Sequence, residues 1–267
     1  MAARRPGAAG TPALNAALLR ELAEQHGVDA VYLEKDFVLT EIIHAYATGP
    51  FSDQLVLKGG QALRHIYGSP RFSKDVDYVA TQRIEFEALM EALDIQYPRL
   101  QLPTVPAGRT SRGLHIEPIE YRGPLGQWDN VEIEVSFRGD LTLEPQRVAY
   151  RSVFREAFDV LVMDLHEMVA EKIRAMYQRG NPRDLYDLWF IFTGLTGNVD
   201  PATVAQLIPG KFRPPLVRGG WARSRLFTRI DEERHTWDDA LDALTPDHPS
   251  FNDARTTVER ALRFLPR

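Results

Sequence analysis

The sequence predicts an α+β fold, with a mixed sheet and its helices in the N-terminal half and a helical C-terminal half. Three observations lead there. Short apolar or alternating runs that read as strands stop near residue 163, helical periodicity dominates beyond it, and no internal repeat interrupts either half. A chain of 267 residues, 44% apolar, buries a core without staples. The complete absence of cysteine excludes a disulfide scaffold, a thiol nucleophile and Cys-based zinc sites.

The elements follow in order. Thr11 and Pro12 read as N-cap and first residue of a helix through LNAALLRELAEQH, stopped by Gly27. A second helix spans residues 29–46, with Val31, Leu33, Phe37, Val38, Ile42 and Tyr46 near helical period, and ends at Gly49 and Pro50. QLVLKGG is a short strand that breaks at a double glycine, and QALRHIYG starts a helix beyond it. DVDYVA is a second strand and IEFEALMEALD an amphipathic helix. RGLHIEPIEYRG and NVEIEVSFRG alternate on either side of a Gly/Pro turn, which predicts a hairpin. FDVLVMD is a further strand. Asp164 then caps a helix, with Glu167 at capping-box spacing, and Asn181-Pro182 opens the next helix. The tail FNDARTTVERALRFL is amphipathic. These runs divide the chain into a flexible tail at 1–10, a sheet-bearing domain at 11–163 and a helical domain at 164–267.

The N-terminus carries basic residues with no apolar stretch behind them, so it reads as a tail and not a signal peptide. No run approaches the ~18–20 apolar residues of a membrane span, so no membrane is expected and a reducing cytoplasm fits. The net charge of −5 argues against a surface that coats nucleic acid as a whole. Yet residues 202–230 contain no acid while Lys211, Arg213, Arg218, Arg223, Arg225 and Arg229 supply six positive charges, leaving −11 on the rest. That asymmetry suggests a local polyanion site, with a merely solvated basic face as the alternative. Lysine is scarce, five against 27 arginines, and Lys35, Lys58, Lys74 and Lys172 all fall in the motifs below.

The strongest constellation is LKGGQALRHIYGSPRFSKDVDY. Gly59 and Gly60 at a strand end let backbone amides approach a phosphate, and the helix that starts there adds its positive end. Asp75 and Asp77 alternate on the next strand and share a face, an arrangement that holds Mg²⁺ beside a triphosphate. A plain turn and a chance D-x-D are the alternatives taken singly. Glu132, Glu134 and Ser136 share a strand face and offer a third carboxylate, with Glu134 preferred because it lies deeper in the strand; a solvent-facing acidic edge is the alternative. In MVAEKIRAMYQRGNPRDLYDLWF, Lys172 would reach nucleotide phosphate, and Asp184 and Asp187 share one side of the next helix. Alternatively Asp184 complements the helix dipole and Asp187 pairs with Arg183. Glu34, Lys35 and Asp36 form a structural or substrate-side cluster of which one or two members face inward. The seven histidines have no H-x-x-x-H or H-x-H spacing, which argues against zinc.

A strand ending in Gly-Gly, a helix and then R-x-S-x-D-x-D resemble the nucleotidyltransferase, or polymerase β-like, fold. EKDFVL, LKGGQAL, RFSKDVDY and AEKIRAMYQRGNPRDLYDLW are similar to the AbiEii/AbiGii toxin family of type IV toxin–antitoxin and abortive-infection (phage defence) systems, which includes the mycobacterial MenT toxins. The resemblance implies that 11–163 is the nucleotidyltransferase domain. It implies Asp75 and Asp77 as the metal-binding acids with Glu134 as third, Lys172 and Asp184 as further catalytic residues, and Gly59, Gly60, Gln61 and Ser73 at the nucleotide. Gln61 stands where the family often has Thr or Ser, and Glu134 where aspartate is usual. The implied reaction is NTP-dependent transfer to the 3′ end of tRNA, blocking translation, on two Mg²⁺ ions, with a cognate antitoxin as partner. Lys211, Arg213, Arg218, Arg223 and Arg225, interleaved with Phe212, Trp221 and Phe227, would bind the RNA by charge and stacking. Nucleotidylation of a protein hydroxyl and a non-catalytic nucleotide- or antitoxin-binding module stay open as alternatives.

Overall fold

The computed structural model describes residues 14–96, 100–137, 141–213, 217 and 220–265. The expected tail at 1–10 and the helix start at Thr11 lie outside them. Helix α1 (Ala16–His26) begins at Asn15, whose side chain accepts from the amides of Ala17 and Leu18. Helix α2 (Ala30–Thr48) is buried on most of its circumference and packs against α1, α4 and the sheet. Strand β1 (Leu55–Lys58) leads directly into α3 (Gly59–His65), so the double glycine opens the helix instead of preceding it. There follow β2 (Asp75–Ala80), α4 (Phe86–Gln96), β3 (Gly108–Thr110), β4 (Gly113–Arg122), β5 (Trp128–Ser136), β6 (Gln146–Ser152) and β7 (Arg155–Val162). The helical half comprises α5 (Leu165–Arg179), α6 (Pro182–Gly194), α7 (Pro201–Lys211), α8 (Arg223–Glu232), α9 (Trp237–Leu241) and α10 (Phe251–Ala261).

The described residues form a seven-stranded mixed sheet in the order β3-β4-β5-β2-β1-β7-β6. Strand β2 is central: it runs antiparallel to β1 and parallel to β5. Two strands were not expected. β3 is three residues long at the sheet edge, and β6 is the partner that turns the run at FDVLVMD into a hairpin. Apolar faces of the strands and of α2 to α10 merge into one buried cluster that extends through both halves, while Leu19, Leu33, Phe72, Phe154 and Leu244 belong to a satellite beside α1. Among the described residues no helix is long and apolar enough to cross a membrane.

The junction between the halves departs from the expected capping box. Asp164 caps α5 by accepting from the amide of His166. Glu167, however, turns away and accepts from the amides of Thr142 and Leu143 and from the ammonium of Lys211. A fully buried carboxylate takes the partners that satisfy it best, and an ammonium plus two amides outweighs a half-exposed N-cap amide.

Candidate active site

The ladder brings the acids together. Asp77 lies opposite Lys58 on β1 and opposite Glu134 on β5, and Asp75 lies opposite Glu132. Directly paired residues project to one face of a sheet, so Lys58, Asp77 and Glu134 stand side by side across three strands. Val131, Ile133 and Val135 are buried on the other face. Alternation on β2 and β5 thus turns one set of residues into core and the other into a polar floor.

Over this floor sits a cleft of about 230 Å³, lined by Lys58, Gly59, Asp77 and Glu134 from the sheet side and by Glu171, Lys172, Arg174 and Arg179 from α5. Gly59 has φ +71°, and a Cβ there would collide with the Asp77 carboxylate. A Cβ at Gly60 would meet Ser73 Oγ at 2.7 Å and Arg71 Nη2 at 2.9 Å. The glycines therefore let α3 begin in contact with β2. Ser73 is buried and donates to Asp75 Oδ1 at 2.6 Å. Burial pushes the Asp77 carboxyl up to about 6, with Asp75 and Glu134 adding to the rise and Lys58 opposing it.

Helices α5 and α6 supply the second wall. Lys172 Nζ lies 3.0 Å from Asp184 Oδ1 and 2.7 Å from Asp187 Oδ2. Arg179 donates to Asp184 at 2.9 Å, and Arg71 grips Asp187 with two bonds of 2.8 and 2.9 Å. Asp187 therefore pairs with Arg71 and Lys172, not with Arg183, which stands 3.9 Å from Asp75. Burial works against the Asp184 carboxylate, but Lys172 and Arg179 overcome it and hold the group down at about 2. Asp187 and Asp184 in turn raise Lys172 above its ordinary range against the pull of burial.

Some expected site residues sit elsewhere. Gln61, 0% exposed, accepts from the Tyr150 hydroxyl at 3.0 Å and reaches Asp36, on the side of α3 away from the cleft. Its expected contact with nucleotide is corrected to one within the core. Lys211, 2% exposed, pairs with Glu167 at 2.6 Å and Glu171 at 3.1 Å, and so is not presented to RNA. The physical reason is helical phase: the last turn of α7 faces α5, whose two glutamates need a cation. Phe212 and Phe227 are core residues, while Trp221 stacks on Tyr177. Arg213 and Arg225 are exposed, Arg223 reaches the carbonyls of Arg263 and Leu265, and Arg218 lies outside the described residues. Glu34 and Asp36 face inward, and Lys35 pairs with Asp129.

Sequence reasoning missed Arg71 and the cleft residues Glu171, Arg174 and Arg179. Helical spacing from Lys172 was the available signal for Arg179, seven residues on. Among the described residues two sets of ligand-type side chains converge within 4.8 Å, His115–Glu117–Glu132 on the half-exposed sheet face and Asp238–Asp242–His248 in the helical half. The first adjoins the cleft, since His115 pairs with Glu134 across the ladder.

The fold is that of nucleotidyltransferases. MenT4, a nucleotidyltransferase toxin from Mycobacterium tuberculosis, superposes with a TM-score of 0.71 at 19% identity, over 94% of this chain and 89% of its own. JHP933 from Helicobacter pylori matches with a TM-score of 0.59 at 18% identity, over 88% of this chain and 92% of its own. Residues 42–262 match the model of the AbiEii nucleotidyl transferase toxins of type IV toxin–antitoxin systems, and the chain belongs to that family. Membership implies an antitoxin partner. The curated proteins contain no match.

Proposed function

We propose that this toxin transfers a nucleotide from an NTP to the 3′ end of tRNA, with Mg²⁺ held by Asp75, Asp77 and Glu134. The observation that carries the reading is the register that sets Asp77 between Lys58 and Glu134 on the floor of a cleft whose other wall is cationic. The three carboxylates offer the hard oxygen donors that Mg²⁺ takes, and the repulsion that helps raise Asp77 is what a divalent cation relieves. When bound, Mg²⁺ supplies charge that acidifies the attacking hydroxyl and steadies the leaving pyrophosphate.

In the transfer, a ribose hydroxyl of the acceptor bonds to the α-phosphorus and gives its proton to solvent. The bond from that phosphorus to the bridging oxygen breaks, and pyrophosphate leaves with the electron pair. Lys172, fixed by Asp184 and Asp187, sets a positive charge beside the reacting phosphate. Gly59 lines the cleft at the start of α3, where the first amides of the helix would meet phosphate oxygens. Ser73 orients Asp75 through its hydrogen bond. Exposed Arg213 and Arg225, with half-buried Arg223 beside them, would meet the RNA backbone. We place a division of labour near Asp164: residues 11–163 carry the metal-binding carboxylates and Lys58, and 164–267 the other cations of the cleft and the surface that meets the acceptor. The cytoplasm, where tRNA and NTP coexist, is the compartment this reading requires.

The test incubates purified protein and Mg²⁺ with each α-labelled NTP and total tRNA, beside Asp77→Ala and Lys172→Ala. Label on tRNA with wild type alone is the expected result. Label on protein instead would move the acceptor to a protein hydroxyl, and full transfer by Asp77→Ala would overturn the assignment of the site.

A further inference from the structure

Four cations line the cleft: Lys58, Lys172, Arg174 and Arg179. Three have their charge taken up by acids of the protein itself. Lys172 sits between Asp184 and Asp187, Arg179 pairs with Asp184, and Arg174 pairs with Glu171 while donating to Gln178 at 2.8 Å. Lys58 makes no ion pair within 4.0 Å among the described residues, although Asp77 is its neighbour across the ladder. Nor is it used by local structure. It occupies the N-cap position of α3 in an extended conformation, φ −143° and ψ −170°, and its side chain caps nothing. A half-buried ammonium on the cleft wall, which acts on Asp77 and Glu171 through space but is bonded to neither, keeps its donors for an anionic ligand.

We infer that Lys58 is the residue that receives the β- and γ-phosphates of the bound NTP and the charge of the departing pyrophosphate. The inference rests on the nucleotidyl-transfer reading above. It divides the cations of the cleft by availability. Lys172 and Arg179 are committed to two buried aspartates, so they shape the wall and present partly neutralised charge. Lys58 makes no direct ion pair and stands immediately before Gly59, which lines the same cleft at the start of α3. A lysine suits this task, because a compact point charge on a flexible stem can follow the phosphate as the bond to the α-phosphorus breaks. Its position beside Asp77 brings the phosphate tail to the acids that would hold Mg²⁺.

The test is calorimetric titration of the full chain, with Mg²⁺, using inorganic pyrophosphate, each NTP and the matching nucleoside monophosphates. Lys58→Met is expected to weaken pyrophosphate and NTP binding about tenfold or more, the range for losing a hydrogen bond to a charged group. Monophosphate binding stays as in wild type, and Lys58→Arg recovers part of the loss. Lys58→Gln repeats the comparison at a smaller change of polarity, with thermal midpoints recorded for every variant. Wild-type affinity for pyrophosphate in folded Lys58→Met would overturn the assignment, and so would an equal loss for monophosphate, since that pattern marks a distorted cleft. Labelled transfer by wild type is measured in parallel. Transfer that persists while Lys58 proves irrelevant to phosphate number sinks this inference alone, whereas a wild type that binds NTP at Lys58 and labels no acceptor sinks the transferase reading.

Discussion

A methyl group on Gly59 would occupy the space of the Asp77 carboxylate, while one on Gly68 would meet nothing within 4 Å, although both residues have positive φ. The pair separates backbone strain from active-site obstruction. Gly68→Ala should lose roughly 1 kcal/mol of stability and keep its activity, because only the left-handed conformation is penalised. Gly59→Ala should lose a similar amount and the transfer reaction as well; thermal midpoints and labelled transfer, measured together, check both. Asp184 offers a second test at this scale. Its folded pKa of about 2 lies below its ordinary 3.8, so between pH 4 and 2 the native state binds fewer protons than the unfolded chain. Its contribution, about 2 kcal/mol, is complete above pH 4 and is lost as pH falls through that window. Asp184→Asn should therefore be less stable at pH 7 and show a shallower acid transition in urea titrations from pH 7 to pH 2. The type of each cleft residue was legible in the sequence, but partner choice was not. Gln61 follows the glycines and reads as a ligand contact, yet one helical step carries it round α3 to Tyr150 and Asp36.

Elements explain why such steps were hard to read. The floor of the cleft was legible on β2 and β5 because alternation puts Asp75 with Asp77, and Glu132 with Glu134, on one face whatever the partner strands are. That Asp77 meets Glu134, and not Glu132, depends on a parallel register between strands about fifty residues apart, which no local pattern encodes. β6 escaped notice because its exposed residues, Gln146, Arg147 and Arg151, blur the alternation an edge strand would otherwise show. Helices α5 and α6 were legible from their caps, but the clamp between them was not, because Arg71 comes from a loop more than a hundred residues away. That clamp carries the next prediction. Arg71 and Asp187 are both buried and joined by two hydrogen bonds, so removing either takes from a buried charge its main partner, although Lys172 stays beside Asp187. Arg71→Ala and Asp187→Ala should each cost about 3–5 kcal/mol, while Arg71→Met combined with Asp187→Leu should cost less than the two losses added together. Denaturant midpoints of the single and double variants measure this. A fully additive pair would show that the loop before β2 and the helical half are not coupled through these two side chains.

At the scale of the whole molecule, the proposed tRNA acceptor has to be reconciled with a net charge of −5. Under that proposal a net-negative chain does not attract RNA as a whole, and the stretch at 202–230, where no acid occurs, is the part that would receive it. Folding thins that stretch: Lys211 turns inward to Glu167 and Glu171, and Arg229 pairs with Glu232, whereas Arg213 and Arg225 stay exposed. Composition counts six charges, but the electrostatic attraction for RNA depends on those that reach solvent. The consequence is a contrast between two substitutions that the sequence treats alike. Arg213→Ala combined with Arg225→Ala should weaken tRNA binding and flatten the slope of log affinity against log salt by about one for each phosphate that is no longer neutralised. Lys211→Met should leave that slope as in wild type and lower stability, since Glu167 loses its cation in the core. Filter binding of labelled tRNA between about 50 and 300 mM salt distinguishes them on the scale of about tenfold changes in affinity. A slope that responds to Lys211 and ignores Arg213 and Arg225 would mean that RNA docks on another face, and the asymmetry of charge along the chain would then serve only the packing of α7 against α5.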